Sequence, residues 1–222
     1  IIDGAHQVVE NYKPTFKIDP NWEMMWLGNS KIEIIDGDRG VNYPKKNEFS
    51  DDGYCVFLNT KNVLAKGFNF DVVMFITKQK DSLLRKGRLE RNDLVLTTRG
   101  TVGNIAIYDE KVAYEHIRIN SGMVVLRPDL RYFISEYIFY LFQTEYMQKK
   151  FCEISSGSAQ PQLPIRSLNI IKIPVPDLKT QKQVVVQLEK EQKAVEATRN
   201  LITLFEQKIK ERIAKVWGEK TI

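Results

Sequence analysis

Between residues 31 and 177, apolar positions alternate with polar ones or gather in short runs bounded by Gly, Asn and Asp. That pattern predicts short strands, because successive side chains in a strand point to opposite faces and turn residues interrupt each run. The clearest are 54–59, 93–98, 104–108, 122–126 and 168–173. Gly100 and Gly103, between the second and third, predict a tight hairpin, since glycine takes up the positive backbone angles such turns require. One helix interrupts the strands. Ile134, Tyr137, Ile138, Leu141 and Phe142 recur at spacings of three and four, which predicts an amphipathic helix over about 133–150. Upstream, residues 5–11 read as helical until Pro14 and Pro20, so that 1–30 form a lead-in, either a linker or an arm packed on the body.

The tail changes character. Residues 180–217 contain neither Gly nor Pro, and a helix of that length runs on the order of 55 Å, too long for so small a body to cover. Leu188, Val195, Ile202, Ile209 and Val216 recur every seven residues, the period of a coiled coil. The companion positions Val184, Glu191, Thr198, Phe205 and Arg212 are mixed, which argues against an ideal two-stranded zipper. An antiparallel pairing through Val184, Leu188, Val195, Ile202, Phe205, Ile209 and Val216, with a second protein on Leu201, Leu204 and Ile213, uses all of the apolar positions. A helix folded back on its own domain is the alternative, and its length argues against it.

Composition narrows the picture modestly. With 43% hydrophobic and 27% charged residues in 222, the chain suits one globular domain with an appendage. No apolar run approaches the roughly 18 residues of a membrane span, and the first residues carry no signal-type segment, so a cytoplasmic protein without a membrane partner is expected. Cys55 and Cys152 lack metal-site or disulfide spacing and read as buried reduced thiols. The net charge of +5 decides nothing alone, but residues 178–222 hold ten Lys/Arg against six Glu, and residues 31–100 thirteen basic against ten acidic.

Catalytic chemistry finds little support. His6 and His116 sit in no nucleophile or metal motif. Gly100-Thr101-Val102-Gly103 is not followed by Gly-Lys-Ser/Thr and lies between strands, unlike a phosphate loop. Asp36/Asp38 and Asp51/Asp52 fall in turn-rich surroundings, where such pairs are usually solvated turn formers. No catalytic residue, metal or cofactor is therefore expected in these residues.

Three segments together resemble the specificity (S) subunits of type I restriction-modification systems. The first is Trp22-Glu23, Leu27-Gly28 and the turn Asp36-Gly37-Asp38-Arg39-Gly40. The second runs from Asn92-Asp93-Leu94-Val95 through Thr98-Arg99-Gly100 to Gly103. The third is Ser156-Gly157-Ser158-Ala159-Gln160-Pro161-Gln162-Leu163-Pro164, leading through Ile171-Lys172-Ile173-Pro174-Val175-Pro176 into Gln181 and the long helix. The resemblance implies an α+β fold: a compact, partly barrel-like, β-rich target-recognition domain at 31–177, followed at 178–222 by one long coiled-coil helix for dimerisation, spacing and methyltransferase docking. Such subunits hold two recognition domains, each reading half of a split DNA site. With one domain and one helix, this chain is similar to a half-size subunit that dimerises, a fragment, or the specificity end of a fused polypeptide. The segments Asn11-Tyr12-Lys13-Pro14 and Ile18-Asp19-Pro20-Asn21-Trp22 resemble the junction of an adenine-N6 methyltransferase with its specificity domain and favour the last.

The implied partners are double-stranded DNA, an adenine-N6 methyltransferase as subunit or fused domain, a nuclease in the full complex, and a second copy or second specificity half. Lysine and arginine would supply affinity at phosphates: Lys45, Lys46, Lys61, Arg85, Lys86, Arg88 and Arg91, the last four being equally readable as a solvated face. Base readout would fall to Arg39, Asn59, Arg99 and Gln160, since Arg pairs with guanine and Asn or Gln with adenine. Tyr54, Phe57, Phe68 and Phe70 could stack on bases, but at strand spacing they are more often core. The competing reading is a protein-interaction scaffold that uses the long helix and binds no DNA.

Overall fold

A strand buried on both faces reads as an unbroken apolar run, and two such runs set this fold. In Leu94-Val95-Leu96 and Met123-Val124-Val125-Leu126 every residue is buried. The computed structural model describes residues 2–65, 67–155 and 161–217. Helix α1 (Ile2–Asn11) is followed by strands β1 (Met24–Trp26), β2 (Ile32–Asp36), β3 (Cys55–Leu58), β4 (Val63–Leu64), β5 (Gly67–Phe68) and β6 (Phe75–Ile76), then helix α2 (Lys78–Leu83). Strands β7 (Leu94–Thr97), β8 (Ile105–Ile107), β9 (Ile117–Ile119) and β10 (Met123–Pro128) come next. Helices α3 (Ser135–Gln143), α4 (Glu145–Ser155) and α5 (Ile165–Asn169), strand β11 (Lys172–Pro174) and helix α6 (Leu178–Trp217) complete the chain.

The central sheet has the order β2-β10-β7-β8 and is antiparallel throughout, with Val124 opposite Leu96 and Asp36. Period-two alternation divides its side chains between two cores. Leu94, Leu96, Ile105, Val124 and Leu126 face Tyr137, Ile138, Leu141, Phe142, Leu168 and Leu188 from the helices. Val95, Ala106, Met123 and Val125 face Val56, Leu58, Ile117 and Ile119. The last four belong to a second sheet, β6-β3-β9, in which β3 and β9 run parallel. Each fully buried Leu, Ile, Val or Phe contributes about 1.5–3 kcal/mol, so the β7/β10 pair anchors both layers.

The expected strands at 54–59, 93–98, 104–108 and 122–126 are present as β3, β7, β8 and β10. Several expectations need correction. Residues 168–173 are not one strand: Leu168 lies in the last turn of α5, in the helical core, and pairing begins only at Lys172, against Trp26. The helix expected over 133–150 is two helices, because Thr144 turns to an extended backbone and its hydroxyl donates to Leu141 O at 2.6 Å. The β7–β8 connection is longer than a tight hairpin, since Thr97 N bonds Asn104 O; Gly100 and Gly103 do carry the positive φ. The strands of the described residues form four separate sheets rather than a partial barrel. Cys55 is buried as expected, whereas Cys152 is exposed. Phe57 is core, and Phe68 and Phe70 pack against the second core.

Helix α6 has two environments. Asp177 Oδ1 accepts from Thr180 N at 2.9 Å and caps its start. Gln181, fully buried, accepts from Ile134 N at 2.9 Å and donates to Tyr132 O at 2.9 Å and Pro176 O at 2.8 Å. Val184, Val185 and Leu188 then join the helical core. Val184 and Leu188, expected to pair with a foreign helix, are thus turned toward their own body, because the first turns lie against α3. Further on, α1 lies antiparallel along α6, with His6 Nε2 on Glu206 Oε1 at 2.8 Å and Tyr12 donating to Glu191 Oε2 at 3.1 Å. Val9 and Ile202 are buried where the two helices meet, and Val195 is half-buried. Phe205, Ile209 and Val216 remain exposed. No helix of the described residues is long and apolar enough to cross a membrane.

Candidate nucleic-acid interface

Strand directions bring four connections to one end of the body. The antiparallel ladders place the ends of β2 and β7 beside the start of β10, and the parallel β3/β9 pair ends on the same side. The turns 37–40, 59–62, 98–104 and 120–122 therefore converge. Their backbones close on one another. Thr98 N and Arg99 N both donate to Gly122 O, at 2.8 and 3.1 Å, and Asn120 N donates to Leu58 O at 3.0 Å. A Cβ on Gly122 would lie 2.8 Å from Thr60 Cγ2, and one on Gly37 would lie 2.3 Å from Asn120 O, so both positions need glycine for the approach.

Arg39 is 49% exposed, and its Nη2 donates to Asp36 Oδ1 at 3.1 Å and to Ser121 O at 3.3 Å. Arg99 is exposed and pairs through its backbone with Gln162. Lys61 is exposed beside them on the turn that follows β3. Asn59 is half-buried and serves that turn: its Oδ1 accepts from Lys61 N at 2.9 Å, while its own amide donates to Asn62 Oδ1 at 3.0 Å. Gln160 lies outside the described residues, as does the rest of 156–160. Thr60, Asn120 and Ser121 share this end without having been singled out in the sequence; the turn triplet Asn-Ser-Gly ahead of an apolar run was the available signal.

Acidic groups do not oppose this surface. Asp36 is held by Arg39. Asp38 is buried; burial pushes its carboxyl up, but amide donors from Gly40, Arg85 and Lys86 together with the Arg85 charge outweigh that and hold it below its ordinary value. The same contacts seat the exposed Arg85 and Lys86 next to the 37–40 turn, with Arg85 N on Asp38 Oδ2 at 2.7 Å. Lys45 and Lys46 are exposed further along the segment, which is tied to α2 by the Glu48–Lys80 pair at 2.7 Å.

Two of the basic candidates are engaged elsewhere. Arg88 contacts Asp81 at 3.5 Å and His116 Nδ1 at 3.3 Å, at the opposite end of β9 from Asn120. Arg91 stacks over the Tyr108 ring at 4.2 Å and donates to Asp109 O at 2.5 Å and Val112 O at 3.0 Å, so it braces the loop after β8. No group of three or more His, Cys, Asp and Glu suited to a metal occurs among the described residues.

Residues 22–207 match the model of the type I restriction modification DNA specificity domain. The chain belongs to that family. Over 94 residues it is 31% identical to the type I restriction enzyme MjaIX specificity subunit of Methanocaldococcus jannaschii, an alignment covering 42% of this chain and 20% of the relative. The fold is shared with the HsdS subunit of Thermoanaerobacter tengcongensis, at TM-score 0.60 and 18% identity over 90% of this chain and 46% of that one. It is shared also with a chain from a structure concerning complex assembly and conformational transition of the type I R-M system, at TM-score 0.66 and 18% identity over 95% and 50% of the two chains. This specificity-domain chain thus spans a fifth of its curated relative and about half of each of these solved chains.

Proposed function

We propose that this chain is a sequence-specific recognition module for double-stranded DNA, reading one part of a site on behalf of a type I-like restriction-modification system in the cytoplasm. The observation that carries the reading is the loop end itself: four connections converge there, presenting Arg39, Lys61 and Arg99, while their only carboxylates are paired or buried. Phosphate contacts there give affinity, and side chains reaching base edges give discrimination. Arg85, Lys86, Lys45 and Lys46 extend the basic track along the 37–48 segment. Residues 31–177 act as the recognition unit. Within 178–222 the early turns of the helix belong to the body, and the distal turns meet partners. Methylation of adenine at N6, and restriction, fall to a methyltransferase, as a subunit or fused domain, and to a nuclease; a second copy or second specificity half supplies the rest of the site.

Salt titration of duplex binding tests this. Each lost phosphate contact should lower the slope of log K against log salt by about 0.9. Lys61→Ala and Arg85→Ala are expected to reduce the slope by roughly one each. Arg91→Ala, whose guanidinium is occupied within the protein, should leave the slope unchanged. Slopes indifferent to Lys61 and Arg85, or absence of duplex binding, would favour the scaffold reading instead.

A further inference from the structure

Arg39 and Arg99 share the loop end but differ in what their guanidinium groups still have free. Recognition of guanine through O6 and N7 uses two parallel donors on one edge of the guanidinium. Each such edge, Nε with Nη2 or Nη1 with Nη2, needs a hydrogen on Nη2. In Arg39 this shared nitrogen, Nη2, already donates to Asp36 Oδ1 at 3.1 Å and to Ser121 O at 3.3 Å. A two-point contact to a base would compete with these bonds. Arg99 has no side-chain hydrogen bond or ion pair among the described residues, and it is exposed. Its backbone, by contrast, is fixed: the amides of Thr98 and Arg99 share Gly122 O, Leu163 N donates to Thr98 O at 2.9 Å, and Gln162 bridges it from the other side. An open fork on an anchored backbone suits base readout; a fork already bound to its own turn suits holding that turn in place.

We infer that Arg99 sets the sequence preference by a bidentate contact to guanine, and that Arg39 is a positioning residue that holds the 36–40 turn against Ser121 and offers only its charge to the duplex. This rests on the recognition reading above. Selection of bound duplexes from a randomised pool, using the full chain at fixed salt, separates the two roles. Lysine keeps the charge and removes the fork. Arg99→Lys should lose discrimination at a single guanine by roughly tenfold or more, with its salt slope kept. Arg39→Lys should keep the preferred bases and bind them more weakly throughout. Unchanged melting temperatures establish that the folds are intact. A preference that survives Arg99→Lys, or that disappears with Arg39→Lys, overturns the assignment while leaving recognition standing. A wild-type chain that enriches no sequence overturns recognition itself.

Discussion

Arg118 is the residue on which the basic side of the loop end rests. Its Nε meets Asp81 Oδ1 at 2.5 Å, its Nη1 donates to Lys86 O at 2.8 Å, and its Nη2 donates to the carbonyls of Asp81 and Leu84 at 2.9 and 3.0 Å. Both Arg118 and Asp81 are buried, so one guanidinium ties β9 to α2 and to the segment carrying Arg85 and Lys86. Arg118→Met fills much of the volume yet leaves a buried carboxylate without its main partner, a loss of about 3–5 kcal/mol. Thermal unfolding should shift down by roughly 10 °C, and DNA affinity should fall with it. An unchanged midpoint would show that Arg88 alone satisfies Asp81. In the sequence, Arg118 between two isoleucines carried no mark of this role. Conversely, Arg85, Lys86, Arg88 and Arg91 formed one basic cluster on paper, but in space Arg85 and Lys86 stand beside Asp38, Arg88 at the far end of β9, and Arg91 over Tyr108. A basic residue looks the same in a sequence whether its charge is solvated, paired or stacked.

At the scale of elements, apolar spacing shows which residues share a face but not what covers that face. The seven-residue repeat correctly marks a continuous helix, and α6 spans 40 residues. It could not show that Leu188 is sealed within the body while Ile209, on the same stripe, is open. The polar residue that decides this is Gln181. Its amide satisfies the α3 amino end and two carbonyls at once, pinning the start of α6 to the 132–134 corner. Gln181→Leu leaves Ile134 N and the Tyr132 and Pro176 carbonyls without this partner, at about 1–3 kcal/mol for the buried Pro176 carbonyl and less for the part-buried Ile134 N and Tyr132 O. The expected result is a lower denaturant midpoint, together with faster amide hydrogen exchange over 132–138 and the first two turns of α6. Exchange unchanged there would mean that apolar packing of Val185 and Leu188 fixes the helix without it. The split at Thr144 follows the same logic: one threonine hydroxyl turning back on Leu141 O outweighs a helical pattern that runs straight through it.

For the whole molecule, the proposed reading puts recognition and assembly at opposite ends of α6. The body holds the first turns and α1 holds the middle, from Glu191 to Glu206, so neither covers the turns that follow. Phe205, at the edge of the α1 contact, and Ile209, Ile213 and Val216 beyond it lie on one arc of the helix and are 52%, 44%, 52% and 81% exposed. Contiguous apolar surface on a projecting helix is unusual for a solitary chain and suits a helix from another molecule. A second copy brings the same stripe, and a self-complementary antiparallel contact buries both. Phe205→Glu combined with Ile209→Glu places four charges in such a dimer seam while removing little from the monomer, where these side chains are already exposed. Sedimentation of the wild-type chain should show concentration-dependent dimers, and the double variant should sediment as a monomer with the same melting temperature and the same affinity for a single half-site. A wild-type chain that stays monomeric at high concentration would rule out the second copy and leave the distal turns to a different partner; a double variant that unfolds would instead place Phe205 and Ile209 among the groups that hold α1 down.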